Sequence, residues 1–164
     1  MFDTMVVIEK YVDIAKEINI ALFKYNNEMV FSSFEEVEKQ DSILSFDDKY
    51  IKKCDNRVIK EAISDELDTK IKDICSLVYK ELRLCGVVRF DYILDKDGVL
   101  YLNELNTIPG SMANYLYSNR GINYDEMCQM MFREGVREFT NNKKLNITYN
   151  SPVLNKINSL KFNK

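Results

Sequence analysis

Residues 86–116 read GVVRFDYILDKDGVLYLNELNTIPGSMANYL, and no other stretch limits the possible folds as tightly. Two runs rich in β-branched and aromatic residues, Val87–Leu94 and Val99–Asn106, flank the turn-forming Asp95-Lys96-Asp97-Gly98. That spacing predicts an antiparallel hairpin. Side chains alternate along a strand, so Arg89 and Asp91 share one face, and Glu104 and Asn106 share a face of the partner. A four-residue turn that sets Leu94 opposite Val99 puts Arg89 across from Glu104 and gathers all four polar groups on one side. A one-residue slip splits them, and a bulge beside Gly98 alters the register. Charged groups inside apolar strands are costly to bury without partners, which makes the hairpin the place to look for chemistry.

The rest of the chain supplies what the hairpin packs on. Ser64–Leu84 carries Leu67, Ile71, Ile74, Cys75, Val78, Tyr79 and Leu82 at helical spacing, with Ser64 as the expected cap and Gly86 as the stop. Asn123–Phe139 is a second expected helix. Asn123 and Glu126 resemble a capping box, and Met127, Met130, Met131 and Val136 form its apolar side. Upstream, Met5–Val12 and the alternating Glu17–Phe23 read as strands joined through Asp13–Lys16. Tyr25–Glu28 reads as a turn, Met29–Ser32 as a third strand and Ile43–Phe46 as a short one. The expected architecture is α+β, an antiparallel sheet backed by helices, over residues 1–140. Residues 141–164, rich in Asn and Lys, are expected to form a polar, mobile tail.

Composition narrows the chemistry. The chain has no histidine, which removes His-based triads and disfavours the usual catalytic zinc sites. Catalysis would have to run on carboxylates, lysine, arginine, backbone amides or a hard metal ion. Net charge is −3, so nothing points to nucleic acid or an anionic membrane, and no apolar run reaches spanning length. Cys54, Cys75, Cys85 and Cys128 show no CxxC spacing. Without a basic, apolar leader they read as reduced core residues of a cytoplasmic protein. Asp91, Glu104 and the Asn106 amide oxygen form an oxygen-only donor set, which suits Mg²⁺. Two carboxylates about 4 Å apart repel by roughly 4 kcal/mol at an effective dielectric near 20, which a divalent ion or Arg89 must offset. On pattern alone, the same residues equally read as an exposed hairpin face with an Arg89–Glu104 surface pair.

The residues Arg89-Phe90-Asp91, followed by Leu102-Asn103-Glu104-Leu105-Asn106-Thr107-Ile108-Pro109-Gly110, resemble the C-terminal motif of the D-alanine–D-alanine ligases, members of the ATP-grasp superfamily. Glu9-Lys10-Tyr11-Val12 is similar to that family's nucleotide-binding edge strand, Glu17 to its ribose-binding acid, and Lys49-Tyr50 to its Lys-Tyr pair near the phosphates. The resemblance covers about residues 5–140. It implies the large lobe of an ATP-grasp fold. It also implies ATP with Mg²⁺ or Mn²⁺ held by Asp91, Glu104 and Asn106, and Arg89 with the Gly110 N–H at the developing oxyanion. Substrate contacts would come from Ser111, Tyr115 and Leu116. The implied reaction joins two D-alanines through an acyl phosphate in a cytoplasmic peptidoglycan-precursor pathway.

Two departures qualify what the resemblance implies. A ligase of this family also has an N-terminal substrate domain and a small lobe, which nothing before Met5 supplies. The chain is therefore expected to be a C-terminal part, inactive or nearly so without the missing portion, and a homodimer is a further expectation. In addition, Tyr115 stands where the family often has a serine that holds the second substrate's carboxylate. Two alternatives follow: a ligase for another amino acid or peptide, and a non-catalytic nucleotide-binding or assembly module.

Overall fold

The computed structural model describes residues 8–37, 57–60 and 63–143. Five antiparallel strands form one sheet: β1 Ile14–Tyr25, β2 Glu28–Val37, β3 Arg57–Lys60, β4 Val88–Asp95 and β5 Leu100–Asn106. Their order across the sheet is β3-β2-β1-β4-β5. Helix α1, Asp65–Glu81, precedes β4; two 3₁₀ segments, Gly110–Leu116 and Ser118–Arg120, follow β5; helix α2 spans Tyr124–Lys143.

The sheet has two unlike faces because its strands alternate. One face carries Ile18, Ile20, Leu22, Phe34, Val88, Phe90 and Tyr92, which pack with Ile71, Cys75 and Tyr79 of α1. On the other face Ala21, Phe23 and Val87 meet Ala113, Leu116, Tyr117 and Met127. Fully burying such side chains contributes roughly 1.5–3 kcal/mol each before conformational entropy is subtracted.

The α1 stripe packs as its spacing predicts, with Leu67, Ile74 and Val78 partly buried against the core, except at its C-terminal end. Ile71, Cys75 and Tyr79 are buried, whereas Leu82 lies in the C-terminal cap and is 60% exposed. Ser64 holds the N-cap place, but its side chain makes no capping bond; its carbonyl accepts from the Asp68 N–H at 2.9 Å. In α2 the capping box forms in both directions. Asn123 N–H donates to Glu126 Oε2 at 3.0 Å, and Glu126 N–H donates to Asn123 Oδ1 at 2.9 Å. Val136 is exposed rather than packed, and Asn141–Lys143, expected in the tail, complete the helix. Cys75 is buried, but Cys85 is exposed rather than a core residue.

The N-terminal hairpin differs from the sequence reading. Ile8–Asp13 form no strand, and Ile14–Lys16, expected as a connection, open β1. The partner of β1 is β2, reached through Asn26 and Asn27, both at positive φ (52° and 68°). Paired left-handed residues give the tight turn that matches strand twist, and asparagine tolerates that conformation well. β2 also runs past Ser32 to Val37, so Glu35 and Glu36 are strand residues. The expected strand Ile43–Phe46 lies outside the described residues.

Candidate active site

The register between β4 and β5 decides whether a site exists. Leu94 pairs with Leu100 rather than Val99, a one-residue shift at the turn. A second shift follows: Tyr92 pairs with Leu102 and Asp91 with Glu104, leaving Asn103 as an extra, bulged residue. Either shift alone would move Glu104 and Asn106 to the opposite face. Together they restore it, so Asp91 faces Glu104 and Arg89 faces Asn106. The expected grouping on one face therefore holds, while the expected Arg89–Glu104 pairing does not.

Arg89 turns instead to its own strand. Its Nε and Nη2 each donate to Asp91, at 2.7 Å to Oδ1 and 2.7 Å to Oδ2, a fork-to-carboxylate pair with both side chains largely buried. This hydrogen bonding, acting against partial burial, holds the guanidinium proton more tightly than in a free arginine, and Tyr115 adds to the effect. Asn106 Oδ1 accepts from the Ile108 N–H at 3.2 Å, which shapes the turn leaving β5.

The ladder extends the row across three more positions. Glu104 pairs with Asp91, Asp91 with Asn19, Asn19 with Glu35, and Glu35 with Ile59. Four polar residues on neighbouring strands thus stand side by side on one sheet face. Glu35 is 1% exposed, and its Oε2 accepts from Asn19 Nδ2 at 2.8 Å and from the Tyr115 hydroxyl at 3.0 Å. Neither Asn19 nor Glu35 is singled out by the sequence. The one available signal for Asn19 is its alternation with Ile18 and Ile20. Glu35 is hidden because the charged run after Ser33 reads as a loop.

The segment carrying Tyr115 is held in an unusual path. Ser111, Met112 and Ala113 take left-handed angles (φ 49°, 52° and 50°). Each costs roughly 1–2 kcal/mol outside glycine. The Met112 N–H to Pro109 carbonyl bond at 2.9 Å and the buried Ala113 offset that cost. Gly110 and Ser111 are exposed beside the hairpin end, and Tyr115 is half-buried. The Leu116 side chain is fully enclosed with Phe23 and Met127, so only its backbone remains for a substrate.

The expected nucleotide residues lie at the other end of the same strands. Glu9, Lys10 and Tyr11 are exposed, in irregular chain rather than an edge strand. Lys10–Asp13 line a cleft of about 330 Å³ with Asp95, Lys96, Asp97 and Tyr101. Lys96 fastens this end, its N–H donating to the Asp13 carbonyl at 3.2 Å and its Nζ lying 2.8 Å from Asp13 Oδ2. Glu17 pairs with Ile93, between the cleft and the polar row, on the same face as Asn19. Lys49 and Tyr50 lie outside the described residues. Among the described residues, no three acidic, cysteine or histidine groups converge on one point. The donor set is a carboxylate pair plus an amide oxygen, which fits a hard cation that keeps water and takes substrate oxygens.

The antiparallel sheet, backed by a helix on one face and carrying the carboxylate pair and arginine on the other, has the fold of an ATP-grasp large lobe, as its structural neighbours show. The comparisons with known proteins specify the family. The family described as D-ala D-ala ligase C-terminus matches residues 1–133, and the chain belongs to it. It is 35% identical over 154 residues to a D-alanine–D-alanine ligase of Thermosipho melanesiensis, covering 92% of this chain and 41% of that protein. It is 34% identical over 161 residues to a Campylobacter jejuni enzyme of the same name, covering 98% and 43%. The chain thus spans about two fifths of the length of these relatives. Among solved structures, a D-alanine–D-alanine ligase of Helicobacter pylori aligns with TM-score 0.53 and 28% identity over 74% of this chain and 33% of that one. The D-alanyl-alanine synthetase A of Vibrio cholerae aligns with TM-score 0.62 and 24% identity over 76% and 40%, a likeness of fold.

Proposed function

We propose that this chain forms the metal and nucleotide face of an ATP-dependent carboxylate–amine ligase that joins D-alanine to D-alanine. The observation that carries this reading is the order of groups along β1 and β4. The Lys10–Val12 cleft, Glu17, and the Asp91–Glu104 pair follow one another along the sheet. Asp95 at the cleft and Asp91 are four residues apart, about 13 Å at roughly 3.3 Å per residue. That span suits a nucleoside triphosphate lying with its base at the cleft, its ribose at Glu17 and its phosphates over the carboxylates. Lys49 and Tyr50 would join it at the phosphates.

Asp91, Glu104 and Asn106 would hold Mg²⁺ or Mn²⁺, which supplies charge neutralisation at the phosphates. The carboxylate of one D-alanine attacks the γ-phosphorus, ADP leaves, and an acyl phosphate forms. The amine of the second attacks the acyl carbon, phosphate leaves, and the amine proton passes to solvent. Arg89 and the Gly110 N–H, which follows the end of the hairpin, would receive the oxygen that gains charge in that step. Donors aimed in this way are worth about 3–4 kcal/mol each. Ser111 and the backbone of Leu116 would border the second substrate. In this reading the ligase works in the cytoplasm, where ATP is available, on the route to peptidoglycan. No helix among the described residues is long and apolar enough to cross a membrane.

The test supplies the remainder of the ligase. The chain is joined to the N-terminal three fifths of the Thermosipho melanesiensis relative, and phosphate release is followed. Release should require ATP, Mg²⁺ and D-alanine together, vanish in Glu104→Gln, and be absent from the chain alone. Release with another amino acid but not D-alanine would establish a second reading, a ligase of different substrate, which Tyr115 favours. Nucleotide binding without turnover of any amino acid would leave the binding module.

A further inference from the structure

The polar row continues beyond the groups assigned to the reaction, and its buried end has work of its own. Glu35 sits in the interior of the sheet at 1% exposure, between Asn19 and Ile59. A strand position there ordinarily takes an apolar residue, and a carboxylate in it costs stability unless it is hydrogen-bonded. Both donors that meet Glu35 Oε2 come from the site. Asn19 is the cross-strand neighbour of the metal-facing Asp91, and Tyr115 belongs to the segment that borders the substrate. The Tyr115 phenol also lies beside the Arg89 guanidinium.

A phenol has one proton and two lone pairs. The Tyr115 proton points at Glu35, so what the phenol offers on its other side is a lone pair. We infer that Glu35 is a positioning residue: it accepts the hydrogen bond of the Tyr115 hydroxyl, holds the phenol against Arg89, and presents Tyr115 to the site as a hydrogen-bond acceptor. A serine at position 115 could donate to a substrate carboxylate. A tyrosine held this way instead accepts, from Arg89 or from a substrate ammonium, and does not draw in a carboxylate. The consequence for substrate orientation rests on the ligase reading; the geometric claim does not.

The experiment is read on the chain itself, without nucleotide, metal or substrate. In a ¹⁵N-labelled sample the Arg89 Nε–H signal is identified by its loss in Arg89→Lys. Glu35→Gln and Tyr115→Phe should each shift that signal, and the double variant should shift it no further than either single, because both act through one contact. The Arg137 signal, from a pair on α2, should stay in place and report an intact fold. Should Glu35→Gln fail to fold, Asn19→Ala removes the Asn19 donor to the same oxygen and should move the Arg89 signal in the same direction. An Arg89 signal unmoved by these changes overturns the inference, as do shifts that simply add. Failure of the assembled ligase to turn over would refute the ligase reading and leave this result standing.

Discussion

Arg89 bonds both oxygens of Asp91, so a divalent cation that uses Asp91 competes with it for the carboxylate's lone pairs and charge. Removing the arginine should therefore tighten cation binding, although the arginine serves the reaction. The size follows from the geometry. Hydrogen bonds to a charged group are worth about 1.5–3 kcal/mol. The side chains are 23% and 15% exposed, so solvent screening trims the pair to about 1–2 kcal/mol. At 1.4 kcal/mol per factor of ten, Arg89→Gln should raise Mn²⁺ affinity roughly 5–30-fold. Losing one positive charge near the cation acts in the same direction. Glu104→Gln removes a ligand and one of the two facing carboxylates, and should weaken binding at least about tenfold. The assay is titration calorimetry of the chain with Mn²⁺ at physiological ionic strength, backed by the electron-spin signal of free Mn²⁺. If Arg89→Gln binds Mn²⁺ no better than the unaltered chain, the competition argument is wrong. If Glu104→Gln binds it equally well, the assignment of the metal to this hairpin is wrong, whatever Arg89 does.

Three further outcomes follow from the fold. Glu36 is buried, which works against its charge, but Lys16 and Lys60 outweigh this and hold its carboxyl below the ordinary range. Its stabilisation is complete above the unfolded value of about 4.3 and disappears as pH falls through the lower folded value. Urea titrations from pH 7 to pH 3 should therefore show a shallower acid-side loss of stability in Glu36→Gln. The Cys75 thiol, which burial pushes up to about 12, should resist alkylation at pH 8 until the chain unfolds, whereas exposed Cys85 reacts at once; mass spectrometry of the labelled chain distinguishes them. Asn123→Ala breaks one side of the α2 capping box and should cost about 0.5–2 kcal/mol, visible as a fall of a few degrees in the thermal midpoint.

Sequence was most informative where periodicity and turn chemistry agreed. The apolar stripe of α1, the capping box of α2, the β4–β5 hairpin and the α+β class are all plain in the order of residue types, because each is a local pattern with a local cause. The N-terminal strands were less legible. Met5–Val12 reads as β-branched as a strand, but it is β1 that takes the centre of the sheet between β2 and β4, and no local pattern says which segment joins the ladder. Glu35 was invisible for a related reason. Two adjacent acids look like a solvated loop until the strand around them is known, and then they point to opposite faces. Glu36 goes to Lys16 and Lys60, and Glu35 to Asn19 and Tyr115.

The candidate site itself shows why a correct grouping can follow from an incorrect register. A four-residue turn with regular pairing predicts Arg89 opposite Glu104. The chain instead takes one extra residue at the turn and another at Asn103. Face assignment depends only on whether the total shift is odd or even, and two single shifts make an even one. The identity of the facing pair depends on the total itself. Hence the four polar groups share a face as the alternation requires, while Glu104 comes to lie opposite Asp91 rather than Arg89. That exchange changes the chemistry. Glu104 opposite Arg89 would be a neutral surface pair with no use for a cation. Two carboxylates face to face, with the arginine drawn in along its own strand to offset them, form a pair whose repulsion a divalent ion relieves better than one guanidinium can. The bulge at Asn103 is therefore the local feature that lets Glu104 face Asp91. Because the bulge already sets Asn103 outside the ladder, deleting Asn103 should close the bulge, leave Glu104 opposite Asp91 and preserve Mn²⁺ binding in the same calorimetric titration, and loss of binding on that deletion would refute the register argument.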